Sequence, residues 1–187
     1  MPNSKKKFWK QFLKSRKEIG SVTPSSRFLT EGIIKKIDFN KANVIVELGP
    51  GTGVFTFEIL KKMSPDGKLI IVELNDEMFA LLKKKITDPR AILVHGSASD
   101  LNSILQKFNI QHADVIVSSL PLSVMPEQVT EDILKSSAEV LGSNGRYIQF
   151  MYTLVLKKKL AQYFSKMKQS YVFLNFPPAF IFECRKT

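Results

Sequence analysis

The chain has 187 residues, 44% hydrophobic and 24% charged, and 28 Lys and Arg against 17 Asp and Glu give it a formal net charge of +11. Those totals suit one globular domain with its own core and exclude disorder over most of the length. A lone cysteine, Cys184, excludes an intrachain disulfide and a cysteine-built zinc cluster and fits a reducing compartment. No apolar run reaches the ~18 residues of a membrane span, and the N-terminus lacks a signal-peptide pattern, so neither a bilayer crossing nor export by that route is expected.

The positive charge is uneven. Residues 1–17 hold seven basic and no acidic side chains, residues 18–153 fourteen against sixteen, and residues 154–187 seven against one. In the first segment, KKKFWKQFLKSRK, helical spacing puts Phe8, Trp9, Phe12 and Leu13 on one stripe, with Lys5, Lys6, Lys10, Lys14 and Lys17 distributed around it. Aromatics, lysines and no acids together predict an interfacial amphipathic helix over residues 1–19, against the blander reading of a solvated basic face. Gly20 to Thr23 reads as a hinge, and residues 20–187 read as one domain. Thr23-Pro24 then reads as a helix start carrying Phe28, Leu29 and Ile33 towards the core.

From Ala42 onward, short β-rich runs alternate with helical patterns. Strands are predicted at Val44–Leu48, Leu69–Glu73, Ala91–His95, Asp114–Ser118 and Tyr147–Phe150. Helices are predicted over Val54–Met63, Asp76–Ile86, Leu101–Phe108 and Glu127–Leu141, the last opened by Pro126 and closed by Gly142. Repeated β-α units require an α/β fold: a mostly parallel sheet with helices on both faces. A second basic stretch, LVLKKKLAQYFSKMK, places Leu156, Leu160, Tyr163, Phe164 and Met167 beside five lysines, equally readable as a membrane surface or as a core stripe. The end, SYVFLNFPPAFIFECRK, gives two strands that must pair antiparallel across Pro177-Pro178.

The first strand ends in Glu47 and runs into Gly49, Gly51, Thr52 and Gly53 within ELGPGTG. In an open parallel sheet this loop is the usual ligand cradle, because glycines permit close approach and the next helix presents free N–H groups. Glu73, closing the second strand just before Leu74, is placed to accept hydrogen bonds from ribose hydroxyls, so the pair implies an adenosine-containing cofactor. A dinucleotide fingerprint would need its third glycine where Val54 stands, and Glu47 would repel a pyrophosphate. The same carboxylate suits the ammonium of an amino-acid moiety.

An acid followed by GxGxG resembles the first motif of the class I S-adenosylmethionine-dependent methyltransferases, whose Rossmann-like fold is a seven-stranded sheet ending in an antiparallel hairpin. The resemblance implies S-adenosyl-L-methionine as cofactor and no metal. It also implies an adenine site at Gly96, Ser97 and Ala98 of HGSASDL, where the family commonly has an acid after the glycine and this chain has Ser97. Asp100 could replace that acid, but it reads better as the N-cap of the next helix. The loop after the fourth strand, SSLPL, faces the methyl acceptor in this family. Nucleic-acid adenine-N6 methyltransferases need an Asn or Asp, then Pro and an aromatic there; Ser119 and Leu122 do not supply them.

Further blocks, IGSVTPSSRFL, VSSLPL, YIQFMYT and FLNFPPAFIF, make nearly the whole chain resemble the bacterial phospholipid N-methyltransferases. That implies stepwise methylation of phosphatidylethanolamine towards phosphatidylcholine, by a cytoplasmic protein peripheral on the anionic inner face of the cell membrane. Ornithine lipid, or an rRNA adenine, is the alternative acceptor. Tyr152 is then the candidate to contact the substrate ammonium, or else a packed core tyrosine. Ser118, Ser119 and the Leu120 carbonyl are candidates to orient the amine. In the entry segment of Ser25, Ser26 and Arg27, the guanidinium would meet a lipid phosphate or form an ordinary salt bridge. His95 and His112 offer no clear general base.

Overall fold

The computed structural model describes residues 26–186. In chain order they form α1 (Arg27–Ile34), β1 (Val44–Leu48), α2 (Val54–Lys62), β2 (Lys68–Glu73), α3 (Asp76–Lys85), β3 (Ala91–His95), α4 (Leu101–Lys107) and β4 (Ala113–Ser118). There follow α5 (Glu127–Val140), β5 (Leu141–Met151), α6 (Lys157–Tyr163), β6 (Lys166–Val172) and β7 (Ala179–Arg185). One seven-stranded sheet has the order β3-β2-β1-β4-β5-β7-β6. β7 is antiparallel to both its neighbours, β5 and β6, so the other six strands all point one way.

Both faces are covered, which is why the inner strands are apolar throughout rather than alternating. Along β1, Ile45 joins Leu29, Ile33, Phe55, Ile59, Leu69 and Val115 on the side of α1 and α2. Val46 and Leu48 join Ile70, Ile116, Leu101, Leu105, Ile133 and Leu134 on the side of α4 and α5. The chain order reverses between β1 and β4, and such a switch point leaves a crevice at the carboxyl ends of the two strands.

Four details differ from the sequence expectation. α1 starts at Arg27, capped by Ser26, whose hydroxyl accepts from the Leu29 N–H at 3.2 Å, and Phe28 points outward while Leu29 and Ile33 are buried. Gly142 does not end α5: Leu141 is already extended and Gly142 lies within β5, where the register with β4 shifts. A side chain there would approach the His112 ring to 2.9 Å, so the glycine makes room for a neighbour. The second basic stretch divides into α6 and β6, and Leu156, Leu160 and Phe164 are core, Phe164 stacking on Tyr147 at 4.9 Å. Asp100 makes no capping hydrogen bond at the start of α4; the hydroxyl of Ser97 instead caps the short turn Ala98–Asp100.

Candidate active site

β1 delivers Glu47 and then the glycine loop to the switch-point crevice. Gly49, Gly51 and Gly53 have φ of 67°, 59° and 89°, left-handed values that a side chain would strain. A Cβ on Gly49 would lie 2.6 Å from Leu120 Cδ2, so the loop after β4 packs directly on this one; a Cβ on Gly51 would meet nothing within 4 Å. The loop is thus tight on its protein side and open where a ligand would approach. Gly53 then leads into α2, and Thr52 beside it is exposed.

Two carboxylates lie under the loop. Glu47 is fully buried; its Oε2 accepts from the Thr56 hydroxyl at 2.6 Å, and its Oε1 has no partner among the described residues. Burial pushes its carboxyl up to about 7, the Thr56 hydrogen bond opposes the shift, and the neighbouring charge of Glu73 adds to it. A buried carboxylate with an unfilled lone pair fits a cation. Glu73, also buried, accepts from the Asn75 N–H at 2.8 Å and from the backbone of Gly51 and Leu74. Burial is the largest influence on Glu73 and raises it.

At the end of β3, the His95 ring lies 4.7 Å from that of Phe79, and its Nε2 is 3.3 Å from the Leu74 carbonyl and 3.1 Å from Asp76. His95 is thus tied to the loop that follows Glu73. The Gly96 N–H donates to the Glu73 carbonyl at 3.1 Å, Ala98 is buried, and Ser97 is engaged with Ser99. Gly96, Ser97 and Ala98 therefore form a wall beside the ribose-side carboxylate. His112 precedes β4, at the opposite edge of the sheet.

The loop after β4 is the most constrained part of the site. The Ser118 hydroxyl accepts from the Leu120 N–H at 3.4 Å, and the Ser119 N–H donates to the Leu48 carbonyl at 2.9 Å. The Leu120 carbonyl accepts from the Leu122 N–H at 2.9 Å and from Gln149 Nε2 at 3.1 Å. Both its lone pairs are occupied, which removes it from the groups that could orient an amine. The Ser119 hydroxyl, in contrast, is buried with no partner among the described residues. Gln149 was not anticipated from sequence, although a polar residue on the inward phase of YIQFM is a signal of a buried network. It also donates to the Phe150 carbonyl at 2.8 Å and accepts from the Tyr147 hydroxyl at 2.8 Å.

Tyr152 follows β5 at the same edge, exposed and edge-on to Phe150 with centroids 5.9 Å apart, so it is not a packed core tyrosine. Arg27 is exposed and pairs with Glu31 at 2.8 Å. Ser26 caps α1 and donates its N–H to Asn175 in the turn between β6 and β7. Lys6, Phe8, Trp9, Phe12, Leu13 and Ser25 lie outside the described residues.

A family model described as a methyltransferase domain matches residues 45–145, from β1 into the start of β5. The chain belongs to the class I S-adenosylmethionine-dependent methyltransferases. Its cofactor is S-adenosyl-L-methionine, and an unfilled acid, an open glycine loop and a second carboxylate at the end of β2 are groups suited to it. An ornithine lipid N-methyltransferase of Singulisphaera acidiphila is 31% identical over 180 residues, covering 95% of this chain and 94% of the relative. A ribosomal RNA small subunit methyltransferase A of Mycoplasma capricolum is 25% identical over 130 residues, covering 68% of this chain but 46% of the relative. The fold is also that of the 1,6-didemethyltoxoflavin-N1-methyltransferase of Burkholderia thailandensis solved with S-adenosylhomocysteine: TM-score 0.72, 16% identity, covering 95% of this chain and 86% of that one.

Among the described residues no group of three or more His, Cys, Asp or Glu side chains could hold a metal ion, and no helix is long and apolar enough to cross a membrane.

Proposed function

We propose that this methyltransferase acts on the primary amine of a membrane aminolipid. The observation that carries this reading is likeness to an ornithine lipid N-methyltransferase along almost the whole of both chains. The acceptor loop supports it: Ser118-Ser119-Leu120 supplies a neutral hydroxyl and no aromatic stacking partner, which suits a small head-group amine better than a flipped base. The relative's name favours ornithine lipid as acceptor; the sequence blocks shared with phospholipid N-methyltransferases favour phosphatidylethanolamine. Both head groups present a primary amine tethered to a bilayer.

When bound, the cofactor supplies a methyl group on a positively charged sulfur. Glu47 would take the ammonium of its methionyl part, and that cation would favour the charged form of the carboxyl. The loop Gly49, Gly51, Thr52 and Gly53, open at Gly51, would let that part lie close, Glu73 and the Leu74 backbone would hold the ribose, and Gly96 to Ala98 would flank the adenine. Ser119 accepts a hydrogen bond from the acceptor nitrogen and directs its lone pair, while Ser118, Leu120 and Gln149 keep the loop in place. The amine is protonated at neutral pH and attacks only after losing a proton, which water takes at the open mouth of the crevice. Tyr152 offers its ring to the ammonium as methyl groups accumulate. Arg27, at the exposed start of α1, reaches a lipid phosphate by leaving Glu31.

Residues 1–19, with their aromatic stripe and lysines, tether the enzyme to an anionic leaflet on the inner face of the cell membrane; each cation near such a surface contributes about 1 kcal/mol. Deleting them is expected to abolish flotation with phosphatidylglycerol-containing vesicles and leave cofactor affinity unchanged. Equal vesicle affinity with and without the segment would remove its assigned role. The acceptor is tested by incubating the protein with methyl-labelled cofactor and vesicles containing either phosphatidylethanolamine or ornithine lipid, then separating the lipids. Label in one of them is expected; blank lipids beside labelled rRNA would replace this reading with the RNA one.

A further inference from the structure

The turn between β6 and β7 is built to hold apolar side chains out in solvent. Phe176 is 92% exposed, Phe173 73% and Leu174 62%. Between them Asn175 is buried and pins the turn, accepting from the Ser26 N–H at 3.2 Å and donating to the Pro177 carbonyl at 2.6 Å. A flexible loop would fold its phenyl rings back onto the protein; this one is fixed with them outward. Monomeric proteins do not ordinarily expose contiguous apolar groups of this size without a partner.

The direction of β6 decides where the turn lies. Because β6 runs parallel to β1 to β5, its C-terminal end emerges at the same edge of the sheet as Glu47, Glu73 and Ser119. The segment after β5 leaves by that edge too, and there Tyr152, Leu154 and Val155 are exposed as well. Two neighbouring loops thus form an apolar rim on the side of the crevice where Ser119 stands.

The occupant is indicated by charge and by chain connection. Residues 152–178 contain five lysines and no acidic residue. Lys159 is paired with Glu127 and Glu131, while Lys157 and Lys158 are exposed next to the rim. At Ser26, bonded to the turn itself, the chain continues into the N-terminal residues, whose first seventeen hold seven basic and no acidic side chains. Apolar groups bordered by cations match an anionic lipid surface, with rings among the acyl chains and lysines at the head groups.

We infer that the β6–β7 turn, with Tyr152, Leu154 and Val155, is a lipid-inserting rim that seats the mouth of the crevice on an anionic bilayer, so that a lipid amine reaches Ser119 without leaving the membrane. This rests on the aminolipid reading for its purpose but not for its surface chemistry.

The test uses the full chain and vesicles of phosphatidylethanolamine and phosphatidylglycerol. In Phe176→Cys, an environment-sensitive fluorophore attached at the turn is expected to shift to the blue on adding vesicles; the native Cys184 is buried and escapes labelling. The double variant Phe173→Ser with Phe176→Ser is expected to bind vesicles about tenfold more weakly or worse. It should keep its affinity for S-adenosylhomocysteine, which shows that it folds, and its activity on short-chain aminolipid in detergent micelles. An unshifted fluorophore with unchanged vesicle affinity would overturn the inference even if lipids are methylated. So would a probe already shielded without lipid, whether by a second copy of the chain or by the N-terminal residues. A blue shift with no lipid methylated by the wild-type protein would instead defeat the aminolipid reading and leave the surface standing.

Discussion

Glu47→Gln separates the cost of burying a charge from its use. The Glu47 carboxyl has an ordinary value of 4.5 and titrates at about 7 in the fold. Between those values the folded chain holds a proton that the unfolded chain has released, so stability falls as pH rises through this window and the whole penalty is present above it. The gap corresponds to about 3 kcal/mol. Gln keeps the shape and an acceptor for Thr56 without titrating. Without cofactor, the variant is therefore expected to match the wild type near pH 4 and to exceed it by about 3 kcal/mol at pH 8. For a chain of this size that raises the melting temperature by roughly 6–12 °C. Thermal melts from pH 4 to 8 measure the difference. Saturating S-adenosylhomocysteine should invert the order at pH 8, because only the wild type offers its ammonium a counter-charge. A Gln variant that is no more stable at pH 8 than at pH 4, relative to the wild type, would refute the reasoning.

On its proposed role as ribose acceptor, Glu73→Ala should raise the cofactor Kd by about 10- to 100-fold; an unchanged constant by calorimetry would remove Glu73 from the site. Ser119→Ala deletes a buried hydroxyl that has no partner among the described residues, so the fold should be unaffected or slightly stabilised while kcat falls about tenfold or more; unchanged kcat in a steady-state assay would end its proposed role at the amine. Arg90→Met should cost about 1–3 kcal/mol in chemical denaturation, because the guanidinium donates to the carbonyls of Leu60 and Met63 at the end of α2. Cofactor affinity should not change in that variant, since this end of α2 faces away from the crevice.

The parts of the fold legible in the sequence were those fixed by local chemistry. Val44–Leu48 and Ala91–His95 are read to the residue because acids, glycines and turn formers bound them, and the final hairpin is forced by Pro177-Pro178. What escaped depends on partners distant in sequence. Gly142 resembles a helix stop, but its reason is the His112 ring 2.9 Å from where its Cβ would be. Asp100 stands at the N-cap position of α4 but its side chain makes no capping bond, and Ser97 caps the short turn before it. The amphipathic stripe of Leu156, Leu160 and Phe164 gives no sign of which surface it meets; the stacking of Phe164 on Tyr147 answers that. Within the site, the carboxylates and glycines are visible as a motif. The commitment of the Leu120 carbonyl is not, because Gln149 reaches it from β5, 29 residues away.

The central claim is that the methyl group goes to a lipid amine. One vessel holding trideuteriomethyl-labelled cofactor, vesicles of phosphatidylethanolamine, ornithine lipid and phosphatidylglycerol, and purified small-subunit rRNA puts the candidate acceptors in direct competition. Mass spectrometry of both fractions is predicted to find deuterated methyl groups on the amine of an aminolipid and none on adenine. Labelled adenine with unmodified lipids would contradict the account.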